Sequence, residues 1–117
     1  MPYYYNPHAG GIKIPTNAQE RVRSRILAHA AAKYAGQFES IEVRFRGALC
    51  YIDAIAGSPP SEFHLVRLRY FSDMERWSLA FYTYSNERYE PCVFHDGTFQ
   101  GTPEDAFDIG AVYLGGV

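Results

Sequence analysis

The chain has 117 residues, of which 47% are hydrophobic and 21% are charged, and its formal net charge is −2. This length fits a single domain, and the composition is that of an ordinary globular protein rather than of a disordered one. The slight negative charge argues against a strongly electrostatic nucleic-acid binder, because phosphate contacts favour a basic domain, but a local basic patch stays open.

The two cysteines, Cys50 and Cys92, lie in strand-like segments without CxxC spacing. We interpret them as free thiols in a reducing compartment, since a disulfide would need their Cα atoms within roughly 7 Å of each other. The N-terminus has no basic region and no apolar run, so we predict no signal peptide. No stretch approaches the ~20 apolar residues of a membrane span. We therefore expect a soluble, cytoplasmic protein with no membrane partner.

The first fifteen residues contain three prolines and the pair Gly10-Gly11. These residues disfavour regular elements, so we predict an irregular N-terminal arm over residues 1–15. A single α+β domain is predicted to follow over residues 16–117.

A helix is predicted to begin after the arm and to stop at Gly36. Its start offers two equivalent capping boxes, Thr16 with Gln19 and Asn17 with Glu20. Apolar residues recur at helical spacing in one stripe: Val22, Ile26, Ala30 and Tyr34, with Leu27 and Ala31. A basic ridge runs beside this stripe: Arg21, Arg25, His29 and Lys33, with Arg23 alongside.

From Ser40 the hydrophobic period changes from about 3.6 to about 2, which predicts β-strands. Turn residues at position 47, 57–61, 72–75 and 85–87 divide the segment into five strands ending near His95. If Arg46-Gly47 is a two-residue loop, Cys50, Ile52 and Ala54 share the core side of the second strand. Pro91 places the fifth strand at a sheet edge, because proline cannot donate a ladder hydrogen bond.

A second, short helix is predicted to start at Thr102, with a cap, a proline and acidic residues in order. The order of helix, five antiparallel strands and helix predicts an α+β two-layer sandwich with both helices on one face of the sheet. The order of the strands within the sheet stays open.

Arginine and tyrosine recur on the strand side that would face away from the helices. The residues predicted there are Arg44, Leu49, Tyr51, Asp53, Phe63, Leu65, Arg67, Arg69, Tyr82 and Tyr84. Too many of them are large and apolar for a surface left to water, so something should cover it. The candidates are the tyrosines of the arm, a second copy of the chain, or a ligand.

Arginine and tyrosine are enriched in protein–protein interfaces. We therefore predict a small protein-interaction domain without catalytic activity, most simply a homodimer. The candidate interface residues are Arg44, Leu49, Tyr51, Leu65, Arg67, Arg69, Tyr82 and Tyr84. One alternative is that arginine stems pack on tyrosine rings and cover the surface within the chain. The other is a nucleic-acid-binding module that uses the same face and the basic ridge of the first helix.

Metal and catalytic motifs are weak in this sequence. Glu62-x-His64 places two side chains on one side of a strand, but a metal site needs three or four converging ligands. The acidic residues are typical of turns and helix caps, and no phosphate loop is present because no Lys-Ser/Thr follows the late glycines. We predict no catalytic residue, no metal site and no cofactor.

The segment Leu68-Arg69-Tyr70, a short turn and then Trp77-x-Leu79-x-Phe81-Tyr82 resembles a group of small uncharacterised bacterial domains. Those domains carry a leading helix and an antiparallel sheet with an R-Y…W-x-L-x-x-Y signature. The resemblance covers residues 18–95 and implies the same fold. It implies no activity and no site residues.

Overall fold

A computed structural model describes residues 9–114. Its elements in chain order are α1 (Thr16–Lys33), β1 (Ser40–Arg46), β2 (Leu49–Ala56), β3 (Ser61–Arg69), β4 (Trp77–Thr83), β5 (Arg88–Cys92), β6 (Gln100–Gly101), α2 (Pro103–Gly110) and a 3₁₀ turn (Ala111–Leu114). The predicted α+β class, with a leading helix, an antiparallel sheet and a short last helix, is confirmed. The short strand β6 was not predicted.

The sheet is an antiparallel meander. Its strands lie in the order β1-β2-β3-β4-β5, and β6 pairs with the opposite end of β4 from β5. The core lies between one side of this sheet and the two helices, with Ile26, Ile52, Leu68 and Phe107 fully buried. Among residues 9–114, no helix combines the length and the apolar character needed to cross a membrane.

Helix α1 buries one narrow stripe. Ala18, Val22, Ile26 and Ala30 are buried, as their four-residue spacing predicts. Leu27 and Ala31, which the sequence analysis placed in the stripe, are exposed.

The start of α1 does not use a capping box. Pro15 occupies the cap position in an extended conformation and makes no side-chain cap hydrogen bond. The side-chain amide of Gln19 instead donates to the carbonyl oxygen of Ile14 at 3.0 Å. In α2 the predicted cap does form, since the Thr102 hydroxyl accepts from the backbone N–H of Asp105 at 3.1 Å.

The loop between β1 and β2 is one residue further along than predicted. Arg46 pairs with Leu49 and Phe45 with Cys50, so the two loop residues are Gly47 and Ala48. Glycine suits this loop because residue 47 has a φ of 58°. The predicted and observed pairings differ by two residues, so the core side of β2 is unchanged and Cys50 lies buried on it.

A β-bulge between β2 and β3 changes which side chains of β3 face the core. Ile52 pairs with Val66 and Asp53 with His64, so Leu65 is an extra residue without a partner. The prediction that Leu65 and Phe63 lie on the side away from the helices is wrong. Leu65 is 0% exposed, and Phe63 packs against the core.

The described part of the N-terminal arm packs against the strand ends. The backbone N–H of Ile12 donates to Tyr70, and that of Ile14 donates to Gly47, both at 3.0 Å. Ile14 is fully buried. The tyrosines at positions 3–5, which were predicted as a possible cover for the sheet, lie outside the described residues.

Candidate interaction face

The outer face is the side of the sheet that points away from the helices. Strand pairing defines it, because residues directly opposite one another share a side. Its members are Ser40, Glu42, Arg44, Arg46, Leu49, Tyr51, Asp53, Ile55, Glu62, His64, Arg67, Arg69, Ser78, Ala80, Tyr82, Tyr89, Pro91 and Gln100.

Charge is segregated along the strands of the outer face. One end, here the acidic end, carries Glu42, Asp53 and Glu62. The other end, here the basic end, carries Arg44, Arg46, Arg67 and Arg69. The outermost rows of the two ends are six residues apart along β1, about 20 Å at a rise of about 3.4 Å per residue.

Asp53 is the centre of the outer face and its side chain is almost fully buried. One carboxylate oxygen, Oδ2, accepts hydrogen bonds from Nε and Nη2 of Arg44 at 3.2 and 2.8 Å. The other, Oδ1, lies 2.9 Å from Nδ1 of His64. Hydrogen bonding to the Asp53 carboxylate raises the pKa of Arg44. A buried charge requires such partners, and Asp53 has one on each neighbouring strand.

Aromatic rings cluster around His64, which is hydrogen-bonded to Asp53. The Tyr82 ring lies 4.9 Å from that of His64 and 5.0 Å from that of Tyr89. Burial raises the pKa of Tyr89, and the charge of Asp53 raises it further. The Tyr89 phenol group therefore stays neutral at physiological pH, and its ring adds apolar surface beside the ion pair.

Towards the basic end, arginine side chains pack against the tyrosine rings. The guanidinium of Arg44 lies 5.1 Å from the centre of the Tyr51 ring, and that of Arg67 lies 5.3 Å from the centre of the Tyr89 ring. Both distances are within the range of cation–π attraction. Arginine stems packed on tyrosine rings are the intramolecular alternative that the sequence left open, and the structure contains them.

Tyr84 follows β4 and joins the outer face to the helix side. Its hydroxyl accepts from the backbone N–H of His64 at 2.8 Å. Its ring lies 4.8 Å from Tyr82 and 4.9 Å from Tyr113, which follows α2. The Tyr113 hydroxyl donates to the carbonyl oxygen of Tyr82 at 2.6 Å, so the end of β4 is held from both sides.

The outer face is less exposed than the sequence analysis expected. Of the eight candidate residues, Arg44 and Tyr84 are exposed, Leu65 is buried, and the other five are half-buried: Leu49, Tyr51, Arg67, Arg69 and Tyr82. Ser78 and Ala80 lie on the same side and are buried. Among the described residues, the Ser78 hydroxyl has no hydrogen-bond partner.

The basic ridge of α1 lies on the opposite side of the sheet from the outer face, and ion pairs engage Arg25, His29 and Lys33. The Arg25 guanidinium pairs with Glu75 and Glu104 at 2.7 and 2.8 Å. Arg23 donates to the Val43 carbonyl oxygen at 3.1 Å. A small ligand on the outer face does not contact the ridge, whereas a nucleic-acid strand that uses both would have to pass around the sheet.

The last turn of α1 is bound to α2 through Asp108. This carboxylate lies 2.7 Å from His29 Nε2 and accepts hydrogen bonds from Tyr34 at 2.7 Å and Lys33 at 3.1 Å. Burial alone would raise the pKa of Asp108, but these hydrogen bonds outweigh burial and hold it below its usual range.

One group of side chains on the outer face has the composition of a metal site. The ligand atoms of Asp53, Glu62 and His64 all lie within 4.8 Å of one another. The sequence analysis found the Glu62-x-His64 pair but missed Asp53. No local signal identifies Asp53, because only the bulged register of β2 and β3 brings it opposite His64.

Comparisons with protein-family models, with curated proteins and with solved structures returned no match.

Proposed function

We propose that this protein is a small interaction domain that associates with a second copy of itself through the outer face. The observation that carries the proposal is the segregation of charge along the strands, with Glu42 and Glu62 at one end and Arg46 and Arg69 at the other. The proposal assigns no catalytic role to any residue.

Charge segregation suits a two-fold dimer. A two-fold axis that lies parallel to the sheet and runs across its strands brings the two outer faces together and places the acidic end of one copy against the basic end of the other, so the same pair of contacts forms twice. The half-buried residues Leu49 and Tyr51 lie between charged neighbours at the basic end and supply apolar area. The net charge of −2 is too small to oppose association by repulsion.

The size of the outer face sets the expected affinity. Five strands spaced about 4.8 Å apart and about 20 Å long give a projected area of about 480 Å² per copy. Stable interfaces bury about 800 Å² of accessible surface on each partner. We therefore expect a weak, reversible dimer with a dissociation constant of the order of 100 μM.

Charge reversal tests the proposal directly. Glu42 and Arg46 are both exposed, so replacing them should leave the fold intact. By sedimentation equilibrium, Glu42→Arg and Arg46→Glu should each weaken the dimer about tenfold, because each change affects two symmetric contacts. The double variant exchanges the two charges and should associate within about threefold of the wild type. A monomeric wild type at about 500 μM, or single variants that associate like the wild type, would contradict the proposal.

Tyr82 tests the apolar part of the same interface. Its half-buried ring lies near the centre of the outer face, and Tyr82→Ala should weaken association by about 1–3 kcal/mol. Because this ring also packs on His64 and Tyr89, the unfolding temperature of the variant has to be measured in parallel. A loss of affinity in a variant that is folded at the assay temperature supports the interface.

Single-stranded nucleic acid is the alternative ligand for the basic end of the outer face. Four arginines beside Tyr51 are the feature that favours it, because bases stack on aromatic rings and guanidinium groups hold phosphates. Phosphate binding should weaken steeply between about 50 and 200 mM salt. Absence of retention on single-stranded DNA and RNA at low salt would leave self-association as the function of this face.

A further inference from the structure

We propose that Asp53, Glu62 and His64 form a binding site for a divalent transition-metal ion. This proposal is independent of self-association, since all three ligands come from β2 and β3 of one chain. Two carboxylates and an imidazole supply oxygen and nitrogen donors without a thiolate. Such a donor set suits Zn²⁺, Co²⁺ or Ni²⁺ better than ions that prefer sulfur.

The β-bulge assembles the site. Glu62 and His64 are two residues apart on β3, so both point to the outer face. The bulge places Asp53 directly opposite His64, and Glu62 two pairs further along the same two strands, which is the next position on the outer face. If residues 61–69 all alternated regularly, without a bulge, either the Glu62-x-His64 pair or the Arg67-x-Arg69 pair would lie on the helix side.

The distance between two of the ligand atoms already matches a coordinated ion. Asp53 Oδ1 and His64 Nδ1 lie 2.9 Å apart. Metal–ligand bonds of about 2.0–2.2 Å with angles of about 90–110° put neighbouring ligand atoms about 2.9–3.5 Å apart. An ion can therefore replace the proton shared by these two atoms with little backbone movement. The exposed Glu62 side chain, whose ligand atom lies within 4.8 Å, only has to rotate to complete the site.

The surroundings of the three ligands support a bound cation. Arg44 holds the other oxygen of Asp53, Oδ2, and so fixes the orientation of the carboxylate without occupying Oδ1. Glu42 lies opposite Asp53 on β1 and adds a third carboxylate to this end of the face. These three carboxylates outnumber the one guanidinium, that of Arg44, so the surroundings of the ion stay negatively charged. Three protein ligands leave one coordination position open to solvent or to a group from a partner.

Metal titration of the full chain tests the proposal. By isothermal titration calorimetry, Zn²⁺ should bind one ion per chain with a micromolar dissociation constant. Glu62→Gln and His64→Phe should each weaken binding at least tenfold; phenylalanine retains a ring next to Tyr82. With Co²⁺ the visible absorption should show nitrogen and oxygen ligation without a thiolate charge-transfer band.

Matched controls separate this site from adventitious binding. Glu20→Gln and His95→Ala replace an exposed glutamate and an exposed histidine elsewhere and should leave zinc affinity unchanged. Glu62 is exposed, so its substitution should leave the fold intact even if His64→Phe does not fold. Wild-type zinc affinity in Glu62→Gln would overturn the proposal. Loss of binding in His95→Ala, or no binding to the wild type at 100-fold excess of Zn²⁺, would also overturn it.

Discussion

Replacing Leu65 by alanine tests the bulged register that organises both sides of β3. Leu65 is 0% exposed, so the change removes three buried carbons from the core. At about 0.8 kcal/mol per carbon this is about 2.4 kcal/mol, and the remaining cavity adds about 1 kcal/mol. We expect a loss of about 3–4 kcal/mol in the free energy of unfolding. For 117 residues this corresponds to a fall in Tm of about 12–16 °C.

Leu49→Ala is the matched control, since Leu49 is a half-buried leucine on the outer face. It should cost about 1 kcal/mol or less in the monomer and should weaken self-association, which Leu65→Ala should leave unchanged. Urea unfolding can be followed by the fluorescence of Trp77, which is the single tryptophan and is fully buried. Measurements at low micromolar concentration keep dimerisation out of the stability values. A loss below 1 kcal/mol for Leu65→Ala, or one equal to that of Leu49→Ala, would refute the bulged register.

Three further outcomes follow from the packing and the pKa values. Gly110→Ala should lower the free energy of unfolding by about 1–3 kcal/mol in thermal melts, because the added Cβ would lie 2.9 Å from the Cβ of Leu65. A variant at least as stable as the wild type would contradict this close packing of α2 on β3. Asp108 has a lowered pKa when folded, so its contribution to stability is present above its unfolded pKa of about 3.9 and is lost as the pH falls through the folded value. Melts from pH 5 to 2 should therefore show a weaker pH dependence for Asp108→Asn, and equal slopes would contradict this. Burial raises the pKa of both thiols, but Cys50 is fully buried and Cys92 is only half-buried. A thiol reagent should therefore modify Cys92 first and Cys50 only on unfolding. Fast labelling of the Cys92→Ser variant would contradict this order.

Periodicity was sufficient to predict the fold class. The stripe of Val22, Ile26 and Ala30 gave the first helix, and strict alternation gave β1 and β4 with the correct core sides. The Thr102 cap was also readable, because a proline and two acids follow it directly. These signals are local, and each is repeated several times within its element.

The errors come from places where a tertiary contact decides between equivalent local choices. Thr16 is a good capping residue, but it is the first residue of α1 and Pro15 takes the cap position, because the hydrogen bond between Ile14 and Gly47 holds the arm there. Leu65 fits the alternation of β3, but the bulge moves it into the core beside Gly110. The third ligand of the candidate metal site, Asp53, depends on the same bulge. No pattern within one strand reveals an extra residue that only the pairing of two strands defines.

The single unpaired residue in β3 makes the two halves of that strand follow opposite odd–even rules. A designer who transplants residues 61–69 onto a regular sheet as one alternating unit would send one half of its side chains into the wrong layer. Deleting position 65 would instead make the strand alternate regularly, because residues 64 and 66 already pair with consecutive residues of β2 and both flanks would keep their present sides. Insertion or deletion of one residue elsewhere in β3 should be far less tolerated than substitution at its solvent-facing positions, because it inverts every side chain on one flank of the change.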